Sequence, residues 1–168
     1  MKSLEPPDSL HLQAAQGWLE LGNHAEANEE LDKITPQLRA HPDVLQLRWR
    51  IYAHAHRWEA CLEIAKALTE MIPARRFGWV HLAFSLHNLN RTAQARKVLL
   101  SVLDRFEPNS TIPYYLARYC ASLGLLAEAK SWLETAFRHA VDKEEEDRLK
   151  LRALEEPDLE PIWKSGST

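Results

Sequence analysis

The stretch "LGNHAEA" (residues 21–27) and the stretch "LGLLAEA" (residues 123–129) differ in two letters and start 102 positions apart. If that distance is three steps of 34, weaker copies should begin at Ala55 and Leu89. They do: "AHRWEAC" runs from Ala55 and "LNRTAQA" from Leu89. One phrase written four times at a constant step decides how the rest of the chain is read.

Aligned at this step, the last residue of the phrase gives a column of Ala27, Cys61, Ala95 and Ala129, all small. Four residues on stand Leu31, Ala65, Leu99 and Leu133, and three further on Ile34, Leu68, Val102 and Ala136. Apolar residues at i, i+4 and i+7 form one stripe of an α-helix. The small column has a mechanical reason, because only a short side chain leaves room where two helix backbones cross closely. Upstream lies a second stripe, with Trp18, Tyr52, Leu86 and Cys120 in one column and Leu21, Ala55, Leu89 and Leu123 in another. Between the stripes the column Gly22, His56, Asn90, Gly124 holds residues that tolerate a left-handed backbone past a helix end, with His the least suited. Each copy is thus helix, turn, helix. No alternating β-branched run or Asn-Gly hairpin competes with that reading. Helix pairs this short cannot bury their apolar faces alone, so they must stack in series around a shared core.

The pattern resembles the tetratricopeptide repeat (TPR) family, whose 34-residue unit carries W-x2-L-G-x2-Y, then A-x3-F, then P. The third copy is the best match, with Trp79, Leu82, Ala83, Leu86, Ala95 and Leu99. The fourth offers Leu116, Ala117, Cys120, Ala129 and Leu133, the second Tyr52, Cys61, Ala65 and Pro73, and the first Ala15, Trp18, Ala27 and Leu31. The resemblance implies an all-α fold, a right-handed solenoid of helical hairpins with about nine helices. Its parts would be an N-terminal arm (1–7) and four repeats within 8–141 (about 8–41, 42–75, 76–109 and 110–141). A capping helix (142–156) and an acidic, Trp-bearing tail (157–168) would follow. Two departures stand out. Arg48 and Trp49 occupy positions where the family prefers Leu and a small residue, which should spread or rotate the second hairpin. Pro36 falls within the expected second helix and should end or kink it near Thr35.

Composition supports one sizeable apolar core, at 45% hydrophobic residues over 168 positions. The first residues hold no apolar run of signal-peptide length, and no stretch of ~18 uncharged apolar residues is long enough to span a membrane. A cytoplasmic protein without a membrane partner is expected. Cys61 and Cys120 both fall in core columns, which favours buried free thiols over a disulfide or a nucleophile. The net charge of −3 is uneven, since residues 39–105 are net basic and both ends net acidic.

Motifs for chemistry are missing. There is no glycine-rich phosphate loop, H-E-x-x-H, G-x-S-x-G or C-x-x-C. The eight histidines lack ligand spacing: His54 and His56 are two apart, His81 and His87 six apart. The expectation is a non-enzyme with no cofactor, no metal site and no small-molecule substrate.

Function is therefore sought on a surface. The TPR resemblance implies that the first helix of each pair lines a concave groove taking an extended peptide or a helix. Carried over by position, the candidate groove residues are Gln16 in the first copy, and Gln46, Arg50 and His54 in the second. The third adds Phe77, His81, Phe84 and His87, and the fourth Tyr114, Tyr115 and Arg118. Arginines grip carboxylates or phosphates through paired hydrogen bonds, and aromatics give rigid apolar anchors. The alternative is that the tyrosines pack between repeats and the arginines are solvated. The Lys and Asn of the family's chaperone-tail clamp are replaced by Leu12 and Gln16, so that specificity is not implied.

Three functions remain in view. A protein-interaction module, an adaptor or scaffold, would dock an acidic partner peptide or helix with apolar anchors in the groove. A structural or self-assembling subunit would instead dock its acidic tail "EEPDLEPIW" in its own groove or a neighbour's, as a possible homo-oligomer. In the plainer version of that tail, Leu159, Ile162 and Trp163 cover the open end of the last hairpin. Nucleic-acid binding is suggested by the basic middle alone and is disfavoured by the net acidity of the chain.

Overall fold

The computed structural model describes residues 3–164. Met1 and Lys2 of the expected arm, and residues 165–168 of the expected tail, lie outside the described residues. The chain divides into two compact units, Met1–Gly78 and Trp79–Thr168.

The first unit holds α1 (Asp8–Glu20), α2 (His24–Lys33), α3 (Pro42–His54) and α4 (Trp58–Met71). Helix α5 (Arg76–Asn88) begins there and runs into the second unit. The second unit continues with α6 (Thr92–Ser101), α7 (Thr111–Ser122), α8 (Leu126–Arg138), α9 (Lys143–Glu155) and α10 (Glu160–Lys164). Single 3-10 turns stand at Pro36–Leu38, Leu103–Arg105 and Pro157–Leu159. The fold is all-α, built of helical hairpins, and no strand occurs among the described residues. They form ten α-helices rather than about nine, the addition being the short α10 in what the sequence suggests is tail.

Each repeat column maps onto one structural position. Ala27, Cys61, Ala95 and Ala129 are all fully buried, as are Leu31, Ala65, Leu99 and, nearly so, Leu133. The third column, Ile34, Leu68, Val102 and Ala136, is buried as well. Side chains three and four apart on a helix share a face, so these columns form one continuous seam along each second helix. The upstream stripe is less uniform. Leu86 and Cys120 are buried, but Trp18 near the end of α1 is 37% exposed.

The turns repeat to the level of single hydrogen bonds. Gly22, His56, Asn90 and Gly124 have φ of +77°, +53°, +59° and +77°. In the first hairpin the Gly22 N–H donates to Leu19 O (3.0 Å) and the Asn23 N–H to Trp18 O (2.9 Å). The same pair recurs as His56 to Ala53 and Arg57 to Tyr52, as Asn90 to His87 and Arg91 to Leu86, and as Gly124 to Ala121 and Leu125 to Cys120. This is the left-handed helix stop in which two otherwise orphaned carbonyls are satisfied from beyond the end.

Pro36 acts as its position predicts. Helix α2 stops at Lys33, and the chain passes through extended Ile34 into the 3-10 turn. The groups this break frees are recovered by two side chains. Buried Asp8, in the first turn of α1, accepts the Thr35 N–H (2.6 Å) and the Thr35 hydroxyl (3.1 Å). Arg39 donates from Nε to Ile34 O (2.9 Å) and from Nη2 to Asp32 O. Trp49 is buried in α3 despite its size, and the Cys61 thiol of α4 lies 3.6 Å from its carbonyl oxygen. Arg48 reaches α2, donating to Asn28 (3.2 Å) and Asp32 (2.9 Å).

Two outcomes follow for stability. Asp8→Ala should lower the unfolding free energy by about 1–3 kcal/mol, because it removes a charged acceptor that takes two hydrogen bonds from Thr35, readable in a urea titration followed by circular dichroism. Gly124→Ala should cost about 1 kcal/mol purely through backbone strain, since an added Cβ there meets nothing within 4 Å. Loss of less than a few tenths at Gly124 would contradict the turn geometry.

Candidate functional site

The expected groove residues gather in two clusters, one in each unit. In the first unit, Leu12 and Gln16 from α1, Gln46, Leu47 and Arg50 from α3, and Phe77 from the start of α5 line a shallow cavity of about 260 Å³, with Asp43 also in its wall. The helical spacing of Gln46 and Arg50, four apart, points both to the same side of α3. Leu47 is buried at the base, whereas Gln16 and Arg50 are exposed. Asp43 already has His41 (3.7 Å) and Arg75 (3.8 Å) as ionic neighbours. Exposed His54, one turn past Arg50, stacks on His24 with ring centroids 4.8 Å apart.

In the second unit the surface is filled by the chain itself. Helix α7 presents Tyr115, Arg118 and Ser122 at helical spacing, and α5 presents Phe84 and His87. Arg118 is buried, with its guanidinium 5.6 Å from the Phe84 ring centroid and 5.4 Å from that of Tyr115. Phe84 and Tyr115 meet edge to face at 5.8 Å. Into this frame comes Asp158, from the 3-10 turn after α9. Its Oδ2 accepts from Arg118 Nε (3.0 Å), Arg118 Nη2 (2.7 Å) and His87 Nε2 (3.1 Å), and its Oδ1 accepts from the Ser122 hydroxyl (3.1 Å). Glu156 adds a second carboxylate 3.0 Å from Arg118 Nη2. His87 Nδ1 lies 3.0 Å from the Thr92 hydroxyl, which fixes the ring.

Electrostatics follow from this packing. Burial alone would raise the Asp158 carboxyl, but the hydrogen bonds from His87 and Arg118 and the Arg118 charge hold it well below the usual range. Burial likewise opposes the charged Arg118 guanidinium, and the Glu156 and Asp158 carboxylates outweigh it, so its pKa rises. Tyr114 is pushed up to about 12 by burial, with its ring under the Arg152 guanidinium at 4.9 Å.

The same segment closes the apolar core. Leu159 and Ile162 are buried among Ala117, Ala121, Leu133, Ala136 and Ala153. The Trp163 indole N–H donates to Ala153 O (3.2 Å). Helix α9 is itself anchored: the Asp142 side chain caps it by accepting the Glu145 N–H (2.8 Å), and Glu145 accepts from the Ser110 hydroxyl (2.6 Å) and the Val141 N–H (2.7 Å). The tail's apolar residues thus pack on α7, α8 and α9 while its acids meet Arg118.

Against the sequence expectations, Gln16, Gln46, Arg50 and Phe77 come together, and so do Phe84, His87, Tyr115 and Arg118. Arg118 stands over Phe84, while Arg50 belongs to the other unit. Tyr114 is not an open groove residue. It is buried in the core with its ring under Arg152 of α9, while its neighbour Tyr115 meets Phe84 edge to face. His81, partly buried on α5, accepts the Ser85 hydroxyl through its backbone carbonyl (2.8 Å). The candidate set omits Glu156, Asp158, Ser122 and Tyr119. The signal for the first two is present in the composition of "EEPDLEPIW", an acidic string with apolar residues that complements an arginine-aromatic face.

Other chemistry is sparse. Among the described residues no cluster of His, Cys, Asp and Glu could hold a metal ion. Cys61 and Cys120 are buried and free, and burial raises both thiols, Cys61 to about 11. No helix among the described residues is long and apolar enough to cross a membrane. Compared with known proteins, the chain matches no family model, and no curated protein matches it.

Asp158 gives a pH prediction with a definite sign. Its folded pKa lies below the unfolded value of about 3.9, so the stability it supplies is complete above that value and is lost as pH falls toward the folded pKa. The groups facing it are His87 and Thr92 beyond it, Arg118, Tyr119 and Ser122 on α7, and Glu156 on its own segment. Asp158→Asn should cost about 1–3 kcal/mol near pH 7, and the gap from wild type should narrow steadily below about pH 4. A gap that widens on acidification would contradict the assignment.

Proposed function

We propose that the chain is a tetratricopeptide-type protein-interaction module, an adaptor or scaffold of the cytoplasm, which binds an acidic partner segment bearing apolar anchors. The binding surface is the inner face of its hairpins. The observation that carries this reading is the seat of Asp158 and Glu156 on Arg118. The second unit holds an acidic segment with two buried apolar side chains, the ligand chemistry expected of such a face. In the first unit the repeat-equivalent position of Arg118 is Arg50, two steps of 34 earlier. It is exposed beside a cavity whose walls also carry Gln16, Gln46 and Phe77. Gln amides and a guanidinium supply donors for a partner carboxylate, and Leu12, Leu47 and Phe77 supply an apolar floor. In this reading the partner enters at the first unit, and no catalytic step is involved.

Self-assembly through the tail is the second reading, favoured by the same acidic segment. In that reading Asp158 and Glu156 would meet Arg118 of the same chain or of a second copy through the same ion pairs.

A displayed library of random short peptides, selected on the full chain, tests the proposal. Acidic sequences should enrich, and Arg50→Glu should weaken the selected peptides at least about tenfold by fluorescence polarisation, the loss of a charge-assisted pair. Unselective enrichment, or affinity unchanged in the Arg50→Glu variant, would sink it.

A further inference from the structure

We propose that residues 156–163 are a displaceable internal ligand of the second unit. An outside segment with the same chemistry replaces them: an acidic residue, Leu directly after it, and Ile or a similar side chain three further on. This deepens the interaction-module reading and rests on it, because it assigns the chemistry and the regulation of the Arg118 face.

Three observations separate this segment from an ordinary cap. First, a cap needs only apolar cover, yet here a guanidinium, an imidazole and a serine hydroxyl converge on one carboxylate. Burying such a cluster adds little net stability compared with well-packed apolar residues, but it discriminates strongly between ligands. Second, the segment has little regular structure of its own. A single 3-10 turn and the five-residue α10 are too short to persist alone, so the segment's order depends on its contacts. Its first residue, Glu156, is extended at φ −79° and ψ 115°, directly past the end of α9. Third, the fit in cis is incomplete. The hydroxyls of Tyr114 and Tyr119 are buried and have no hydrogen-bond partner among the described residues. Tyr119 stacks on His87 at 4.9 Å, and both tyrosines feel the charges of Arg118 and Glu156. An outside segment that supplies one more acceptor gains a bond the internal segment does not make.

Competition follows from geometry. A tethered ligand acts at an effective concentration on the order of millimolar, so an outside segment binds the intact chain weakly and the opened chain well. The second unit is therefore closed to casual partners and opens to those matching D-L-x-x-I, the spacing of Asp158, Leu159 and Ile162.

The test uses a fluorescent peptide with the sequence of residues 155–164, titrated by polarisation into the full chain. In an Asp158→Lys, Leu159→Ser double variant, whose internal segment is repelled by Arg118, affinity should rise at least about tenfold over wild type. Adding Arg118→Glu should abolish that gain, and a probe with Lys in place of its Asp should not bind. A folded double variant that fails to take up the peptide overturns the proposal. If the double variant does not fold, amide exchange on wild type decides. Residues 158–163 should exchange by an opening at least about tenfold more frequent than that of α7 and α8. Exchange of all three together, only by global unfolding, overturns it. Binding that Arg50→Glu weakens is entry at the first unit, so the gain of the double variant, which rests on Arg118, should persist when Arg50→Glu is added. Selected peptides that depend on Arg50 alongside a probe that never binds would remove the internal ligand and keep the interaction module. The reverse pattern would remove entry at the first unit.

Discussion

Close approach of two helix backbones within each hairpin is the constraint from which the rest of the structure follows. It holds only while Ala27, Cys61, Ala95 and Ala129 remain small, and all four are fully buried. With a larger side chain at that column, the helices would separate and the Leu31 to Ile34 stretch and its equivalents would lose contact with the opposing helix. Packing at crystal-like density leaves no slack for such a change. Cys61 shows how tightly the position is specified, since its thiol already touches the Trp49 carbonyl of the facing helix.

The turn geometry is the second half of the same constraint. Close hairpins need the first helix to stop abruptly and reverse, and the left-handed residue does this while saving two carbonyls from remaining unpaired. His56 and Asn90 accept positive φ without being glycine, so the requirement outweighs residue preference at both sites. Where Pro36 removes one of the usual continuations, Asp8 and Arg39 replace the missing backbone partners from outside the helix.

This explains what was legible in the sequence. Column residues such as Ala95, Leu99 and Asn90 answer to local geometry repeated four times, so position alone predicts burial and φ. The clustering of Phe84, His87 and Arg118 was legible for the same reason, since they share helix faces. Asp158 was not, because its place depends on long-range contacts with His87, Arg118 and Ser122 that no repeat duplicates. Helix α10 escaped for a related reason. Its five residues, Pro161 among them, carry no helical period and take their form from the core that Leu159 and Ile162 enter. Tyr114 and Tyr115 are adjacent and chemically alike. Which of them is buried under Arg152 and which meets Phe84 is set by the rotation of α7, and composition does not encode that.

The Arg118 cluster shows how one segment can serve stability and recognition with different atoms. Burial of Leu159 and Ile162 is non-directional and roughly proportional to area, about 1.5–3 kcal/mol for each side chain, and any apolar segment of that shape would supply it. Asp158 contributes differently. Desolvating Arg118, Asp158 and Glu156 consumes most of their mutual attraction, so the net gain is small even though each wrong pairing would be costly. A carboxylate displaced by a neutral or basic side chain leaves Arg118 buried and unpaired, a penalty well above the worth of the original bond. The acids thus set which segment is admitted, while the apolar pair sets how firmly it stays. A surface organised in this way favours one chemistry of occupant whether that occupant is the chain's own end or another's.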